Sequence, residues 1–387
     1  MNLACSSRGR VIGTVILAAW LGVLLLAVLG VSERALASVH NGGVSFVTIT
    51  TTVGTTPAAI DVNPATGYVY VANKDGATVS ILQGTSVVTT VVTGGSPRAV
   101  AVNNFSDYAY VGNNFGNSVS VLEGTSVLTT INGVVAYPTV IAADSLSGYT
   151  YVGGNYFNTV WILSGTQVIT NVALGGFGSS NHPYDIKVNG LTGKVYVSTF
   201  NAGYQVKVLK GTHVIATIPV SSTGQIGINP VTGYAYLVNQ NNGTQPGSLT
   251  VMSDTIVIAE IPVGKNPDAP TVDTLRGYVY VANYSDGTVT VITGTSILTT
   301  VTVSAAPYAI SVEPKTGYAF VTDGNEKTVY VLKGPEIVGT TTSAYGAHSL
   351  VSNPTNGFTY IANEYSNSVS IVLPDLPVRV YLPLIRR

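Results

Sequence analysis

A short phrase that returns eight times confines this chain to repeat architectures. Gly67-Tyr68-Val69-Tyr70-Val71-Ala72-Asn73 recurs as Asp107-Tyr108-Ala109-Tyr110-Val111-Gly112-Asn113 and as Gly277-Tyr278-Val279-Tyr280-Val281-Ala282-Asn283, and more divergent copies begin at Gly148, Gly193, Gly233, Gly317 and Gly357. The second aromatic of the phrase falls at Tyr70, Tyr110, Tyr151, Tyr196, Tyr236, Tyr280, Phe320 and Tyr360, a period of 40 to 45 residues. That period holds four short strands per repeat and exceeds the usual coil of a β-solenoid.

Each repeat reads as four strands. The first follows a proline, as in Pro57 to Asn63, and a turn ending at Gly67 leads into the Tyr-Val strand. In that second strand Val69 and Val71 are as apolar as Tyr68 and Tyr70, so both faces must be covered, and neighbouring blades can do it. A third strand (Val79 to Leu82) and a Thr-rich fourth (Val87 to Val92) meet across Gln83-Gly84-Thr85, a turn repeated as Glu123-Gly124-Thr125, Ser164-Gly165-Thr166 and Thr293-Gly294-Thr295. Glycine supplies the positive φ such turns need. The expectation is an all-β fold: a single eight-bladed β-propeller of four-stranded antiparallel blades.

The two ends bear on closure. Phe46 to Thr51 reads as a lone fourth strand, while the last repeat supplies three strands, His348 to Val372, before prolines intervene. Joined, they make one blade, remove the free edge and tie the ends together. Val378 to Ile385 competes for the same outer position.

Arg8 and Arg10 precede an apolar run from Val11 to Val31, and Ala35-Leu36-Ala37 is a small-x-small cleavage pattern. Residues 1–37 therefore read as a signal peptide or, uncleaved, as a membrane anchor, since about 20 apolar residues span a bilayer. The remaining divisions are a linker at 38–45, the propeller at 46–373 and a Pro-rich tail at 374–387. The expected location is secreted or at the cell surface, with membrane contact only through the N-terminal segment. The single cysteine, Cys5, precedes the apolar run, so the propeller has neither disulfides nor thiol chemistry. Charged residues are 9% of the chain, against roughly 25% in ordinary soluble domains, and the net charge is −1 without a basic stripe. Nucleic-acid binding lacks its electrostatic footprint.

The series Pro-x-x-[Ile/Val]-x-Val, Gly-Tyr-Val-Tyr-Val-Ala-Asn and Thr-Val-Ser-Ile-Leu resembles the YVTN-type β-propeller repeat proteins over about residues 47 to 372. The resemblance implies the fold. For function it implies a range: surface-layer components, ligand- or nucleic-acid-binding propellers and, more distantly, cofactor oxidoreductases and lactonases. Function has to be argued from a site.

Turns between strands one and two keep nearly constant length, as in Asn63-Pro64-Ala65-Thr66-Gly67 and Asn229-Pro230-Val231-Thr232-Gly233. On the opposite face the loops vary, from Asn73-Lys74-Asp75-Gly76-Ala77 to the longer Asn239 to Ser248 and the connection from Leu174 to Pro183. Varied loops on a regular scaffold are where recognition sits. The position after the strand-one proline, placed in each repeat by its offset from the turn Gly or Asp, gives a ring at the channel mouth on that face: Ala58, Arg98, Thr139, Tyr184, Gly224, Asp268, Tyr308 and His348, joined by the preceding Tyr137, His182 and Asn266. Arg98 suits a carboxylate or phosphate, and the Tyr and His residues suit stacking on a sugar or aromatic ligand. The candidate ligand-binding residues are Arg98, Tyr137, His182, Tyr184, Asp268, Tyr308 and His348, although a water-filled mouth also calls for polar residues. The Asn ending strand two (Asn73, Asn113, Asn239, Asn283, Asn363) reads as a turn cap rather than a ligand contact.

Catalytic patterns are sparse. His182, His213 and His348 form no metal-binding pair or cluster, Trp161 is the only tryptophan of the folded part, and no Gly-x-Ser-x-Gly occurs. Asp75, Asp286 and Asp323-Gly324-Asn325-Glu326 lack the carboxylate density of a calcium site. No catalytic residue, metal or cofactor is assigned. The tail ending Val380-Tyr381-Leu382-Pro383-Leu384-Ile385-Arg386-Arg387 suits either surface attachment or docking on the last blade. Two function classes stand: a non-catalytic extracellular or surface protein that meets a protein, a glycan or copies of itself through the varied face, and a channel-centred enzyme such as a lactonase-like hydrolase. Convergence of carboxylates or histidines in the channel would favour the second.

Overall fold

A computed structural model describes residues 44–374 apart from 155–156, 176–180, 201–202 and 242–243. The leader or anchor at 1–37 and the competing strand Val378 to Ile385 lie outside the described residues. What is described is all-β: eight four-stranded antiparallel sheets, each read off the chain in order except the last. Blade 1 runs Pro57–Val62, Tyr68–Asn73, Thr78–Gln83 and Ser86–Val92, and its pattern is repeated around the ring.

Burial follows position in the blade. In Tyr68–Asn73 every residue after Tyr68 is buried, whereas the outermost strand Ser86–Val92 alternates half-buried and exposed residues. This accounts for a second strand with no polar alternation and a fourth rich in Thr. The cores lie between blades: Ile60, Val69, Val71 and Leu82 of blade 1 pack on Tyr360, Ala362, Val369 and Ile371 of blade 8, and Tyr70, Val79 and Ile81 pack on Val102, Ala109, Val111 and Leu122 of blade 2. Eight such clusters serve eight interfaces among the described residues. At about 1.5–3 kcal/mol for each fully buried Val, Leu or Ile side chain, these interfaces hold the fold without disulfides.

The repeated aromatic adds a polar tie. Tyr70 Oη donates to the carbonyl of Gly124 in the next blade's third-to-fourth turn (2.9 Å), and the same bond joins Tyr110 to Gly165 (2.9 Å), Tyr151 to Gly211 (3.0 Å), Tyr196 to Asp254 (3.1 Å), Tyr236 to Gly294 (3.0 Å) and Tyr360 to Gly84 (2.9 Å). In blade 6 the Tyr280 hydroxyl accepts from Gly334 N–H (2.9 Å). Burial pushes Tyr70, Tyr196, Tyr236 and Tyr280 up to about 12, so these hydroxyls stay protonated.

The eighth copy of this position is Phe320, and the topology explains it. Val47–Thr52 is the fourth strand of the last blade, antiparallel to Ser368–Leu373 with Val47 opposite Leu373 and Thr52 opposite Ser368. Blade 8 therefore has no third-to-fourth turn, and no turn carbonyl faces blade 7. Phe320 instead packs edge-on against buried Phe46 (5.8 Å between centroids), and Pro374 stands at the position other blades give to the turn glycine. A cavity of about 140 Å³ lies there, lined by Tyr318, Phe320, Thr355, Gly357 and Pro374 among others. The closing strand begins one residue later than expected, because Phe46 is spent on this packing. First strands touch their neighbours all round the ring, Ala347–Ser352 against Pro57–Val62 included.

Candidate functional site

Five of the first strands present their ring residue through a break in pairing. Pro57 pairs with Asn73 and Ala59 with Ala72, leaving Ala58 bulged; Arg98, Thr139, Tyr184 and His348 occupy the same bulge in their blades. The irregularity spans Tyr308 and Ala309 in blade 7, and lies just after Asp268 in blade 6. A bulge bends its strand and re-aims a side chain. Proline donates no ladder bond there, and the residue before it supplies a carbonyl: Thr56 O accepts from Lys74 N–H (2.9 Å), Ser96 O from Asn114 N–H (2.8 Å) and Asn266 O from Tyr284 N–H (3.1 Å). Thr56, Ser96, Tyr137 and Asn266 hold left-handed φ values of 51° to 57° to do so. Blade 5 differs: a Cβ at Gly224 would meet Val238 O at 2.3 Å, so the ring has a gap there.

The ring residues do not form one site. Tyr308 and His348, from adjacent blades, meet at 4.9 Å with their rings tilted by 42°, and three tyrosines outside the expected set extend them: Tyr284 at 6.2 Å from Tyr308, Tyr365 at 5.3 Å from His348, and Tyr345 at 5.4 Å from Tyr365. His348 Nδ1 lies 2.8 Å from Glu364 Oε2, whose other oxygen is 3.6 Å from Lys74 Nζ. Tyr284, Tyr345, Glu364 and Tyr365 come from the varied loops. They follow the strand-two Asn or precede the first strand, positions at which residue type changes from repeat to repeat.

Asp268 and Tyr184 lie towards the gap left by Gly224. Burial pushes Asp268 up to about 6, opposed by the Ala269 N–H it accepts (2.9 Å), and the Asp185 carboxylate adds to the rise. Burial raises Tyr184 and Tyr308, and for both the next cause is the charge of Asp268. Arg98 is exposed. Tyr137 meets Phe115 edge-on at 6.4 Å, making a second aromatic pair, and His182 is half-buried opposite Phe200 at the start of its blade.

Carboxylates on the innermost strands are occupied by backbone. Asp61 accepts from Val62 and Val102 N–H (2.8 Å each), and Asp185 from Ile186 and Ile226 N–H (2.9 Å each), so each ties its blade to the next. Burial pushes Asp61 up to about 6 despite those bonds and the charge of Lys187. Thr271 and Ser311 make equivalent ties, to Ile310 O (3.0 Å) and from Ser352 N–H (3.0 Å). At the mouth His348 and Lys74 converge on Glu364. Among the described residues no three His, Cys, Asp or Glu side chains gather as a metal site would require.

The strand-two asparagines are buried, and the partners of their amide groups are third-strand hydroxyls rather than the backbone of their own turns. Asn73 Nδ2 donates to Thr78 and Ser80, Asn113 to Ser118 and Ser120, Asn283 to Thr288 and Thr290, and Asn363 to Ser368 and Ser370; Asn239 adds Glu260 to the same pattern. The loop acids serve the backbone too: Asp286 accepts from Lys265 N–H (2.7 Å) and Asp323 from Asn325 and Glu326 N–H (2.6 Å each).

On the constant face, an acid or amide four residues before the turn glycine caps every first turn. Asn63 Oδ1 accepts from Ala65 N–H (2.8 Å), and Asn103, Asp144, Asn189, Asn229, Asp273, Glu313 and Asn353 do likewise. The fixed spacing of this cap to the residue that ends the turn is a signal present in the sequence itself. Two residues past this cap, blades 2 to 6 expose Phe105, Leu146, Leu191, Val231 and Leu275.

No protein-family model matches the chain, and no curated protein does. Solved propellers do match. The Dos1 propeller aligns with a TM-score of 0.67 over 84% of this chain and 93% of that one, at 12% identity. Kuenenia stuttgartiensis hydrazine synthase aligns at 0.59 over 83% of this chain and 97% of that one, at 17% identity. The dihydro-heme d1 dehydrogenase NirN, in complex with DHE, aligns at 0.58 over 73% and 66%, at 14% identity. At such identities the likeness is one of fold.

Proposed function

We propose that this is a non-catalytic binding or interaction protein of the cell exterior, exported through residues 1–37 and working through the varied-loop mouth of its propeller. The YVTN-type family resemblance is part of the same proposal. The observation that carries it is the bulge that turns Ala58, Arg98, Thr139, Tyr184 and His348 out of the ladders of their first strands beside the varied loops. Opposite that mouth, the corresponding polar side chains are consumed in capping turns. Asp61 and Asp185 hold backbone amides of the next blade, an arrangement suited to joining blades rather than to general acid–base work.

Two measurements test this. Fractionation of cells producing the full chain should find it outside the cytoplasm, and cytoplasmic retention would overturn the location. Immobilised cell-surface material should bind the full chain, and a triple Arg98→Ala, Tyr184→Ala, Tyr308→Ala variant should bind it at least about tenfold more weakly, on the order expected for losing several interface anchors. Undiminished binding by a folded triple variant would overturn the mouth as the working surface. Lactone turnover abolished by His348→Ala would establish the enzyme instead.

A further inference from the structure

Tyr284, Tyr308, His348, Tyr365 and Tyr345 form a continuous ladder of rings across blades 6, 7 and 8, with successive centroids 4.9 to 6.2 Å apart. Its outer rungs are open: Tyr365 is 61% and Tyr345 45% exposed. They are also held. Ser366 Oγ donates to Tyr345 O (3.0 Å), Glu364 N–H donates to Gly346 O (2.8 Å), and a Cβ at Gly346 would meet Tyr365 N at 2.7 Å. Two exposed aromatic side chains on backbone this tightly joined lose little freedom when a ligand arrives.

We propose that this ladder is a binding subsite for an uncharged oligosaccharide, with sugar faces against Tyr365 and Tyr345 and hydroxyls on the His348–Glu364–Lys74 cluster. The proposal rests on the loop mouth being the working surface and adds the ligand's chemical class. Charge selects among ligands. Glu364 lies between Lys74 at 3.6 Å and His348 at 2.8 Å, so the cluster offers donors and acceptors while its charges offset one another. An anion would meet Glu364 and a cation would meet Lys74, whereas neutral hydroxyls can both give and accept hydrogen bonds here. Ring geometry argues against intercalation of a flat aromatic ligand: successive rings are inclined to one another by 39° to 86° and their centroids lie 4.9 to 6.2 Å apart, so no two are parallel with room for a third ring between them. A sugar ring needs only one aromatic face and polar groups at its rim, which the ladder supplies.

The test uses the full chain against immobilised oligosaccharides of two sets, uncharged hexose and N-acetylhexosamine chains and uronate-bearing chains. The uncharged set should bind preferentially. Tyr365→Ala and Tyr345→Ala, both exposed and therefore expected to fold, should each weaken binding by about tenfold, the order for withdrawing one ring's contact area. A Phe157→Ala variant, exposed on the same face but off the ladder, should bind as the parent does. Preference for uronates, or no binding of the uncharged set, overturns the ligand class. Glycan binding lost in Phe157→Ala but kept in Tyr365→Ala overturns the ladder and leaves the loop face standing. Glycan binding indifferent to all three substitutions overturns the ladder, and its loss with Phe105→Ala moves the site to the opposite face and overturns both readings.

Discussion

At the scale of single residues, the chain spends most of its polar groups on itself. Asp268 is a residue whose charge the fold opposes. Its pKa of about 6 lies above that of an exposed carboxylate, so between roughly pH 4 and 6 the folded chain holds a proton the unfolded chain releases. Stability from this group therefore falls as pH rises through that window. Asp268→Asn keeps the acceptor for Ala269 N–H and removes the charge. The variant should match the parent near pH 4 and exceed it at pH 7 by on the order of 1 kcal/mol, solvent screening reducing the full value, as read from denaturant midpoints at the two pH values. Equal stabilities at both would show that Asp268 is solvated. Tyr308 and His348 can be picked as ring residues from their fixed offset to the turn glycines Gly317 and Gly357. Their partners Tyr284, Tyr345 and Tyr365 cannot, because loop residues carry no repeat register and meet only when adjacent blades pack.

At the scale of strands, regularity is legible and its exceptions are informative. Four strands per repeat, both-face burial of the second and the closing role of the N-terminal strand all follow from the pattern at Tyr68–Asn73 and from the count at the ends. The bulge does not, since no residue type marks Ala58, Arg98 and Tyr184 as one position; it emerges from Pro57 and its counterparts meeting a continuous partner strand. Phe320 is an exception whose meaning needs the topology. Tyr360→Phe removes the bond to Gly84 across the seam and should cost about 1 kcal/mol. Phe320→Tyr should gain nothing, because no third-to-fourth turn carbonyl faces it and its hydroxyl would enter the cavity lined by Tyr318, Gly357 and Pro374. Denaturant midpoints of the two variants decide this, and stabilisation by Phe320→Tyr would contradict the assignment of the open turn.

At the scale of the whole molecule, the two faces of the ring differ in what they leave over. One leaves aromatic and charged side chains at a mouth; the other leaves apolar tips at Phe105, Leu146, Leu191, Val231 and Leu275. Each tip is exposed, and Phe105 and Leu146 lean towards the turn glycines Gly148 and Gly193 of the following blades. Exposed apolar residues in register on a weakly charged surface favour association. Phe105→Ser with Leu191→Ser should leave the unfolding midpoint nearly unchanged, within about 0.5 kcal/mol, while shortening retention on a hydrophobic-interaction column. A large loss of stability would mean that the tips are core. The low charge content hinted at such a surface, but its placement required the turns to be seen as a ring.

The closing strand has a temporal consequence. Val47–Thr52 cannot pair until Ser368–Leu373 exists, so the contact that completes the ring joins residues more than three hundred positions apart. Contacts of such long range form slowly. During synthesis seven blades can assemble in order, yet the arc they make keeps the apolar faces of blades 1 and 7 uncovered until the last blade arrives. The first strand made is thus the last to dock, and the interval between the two is when this protein is most open to pairing with the wrong partner.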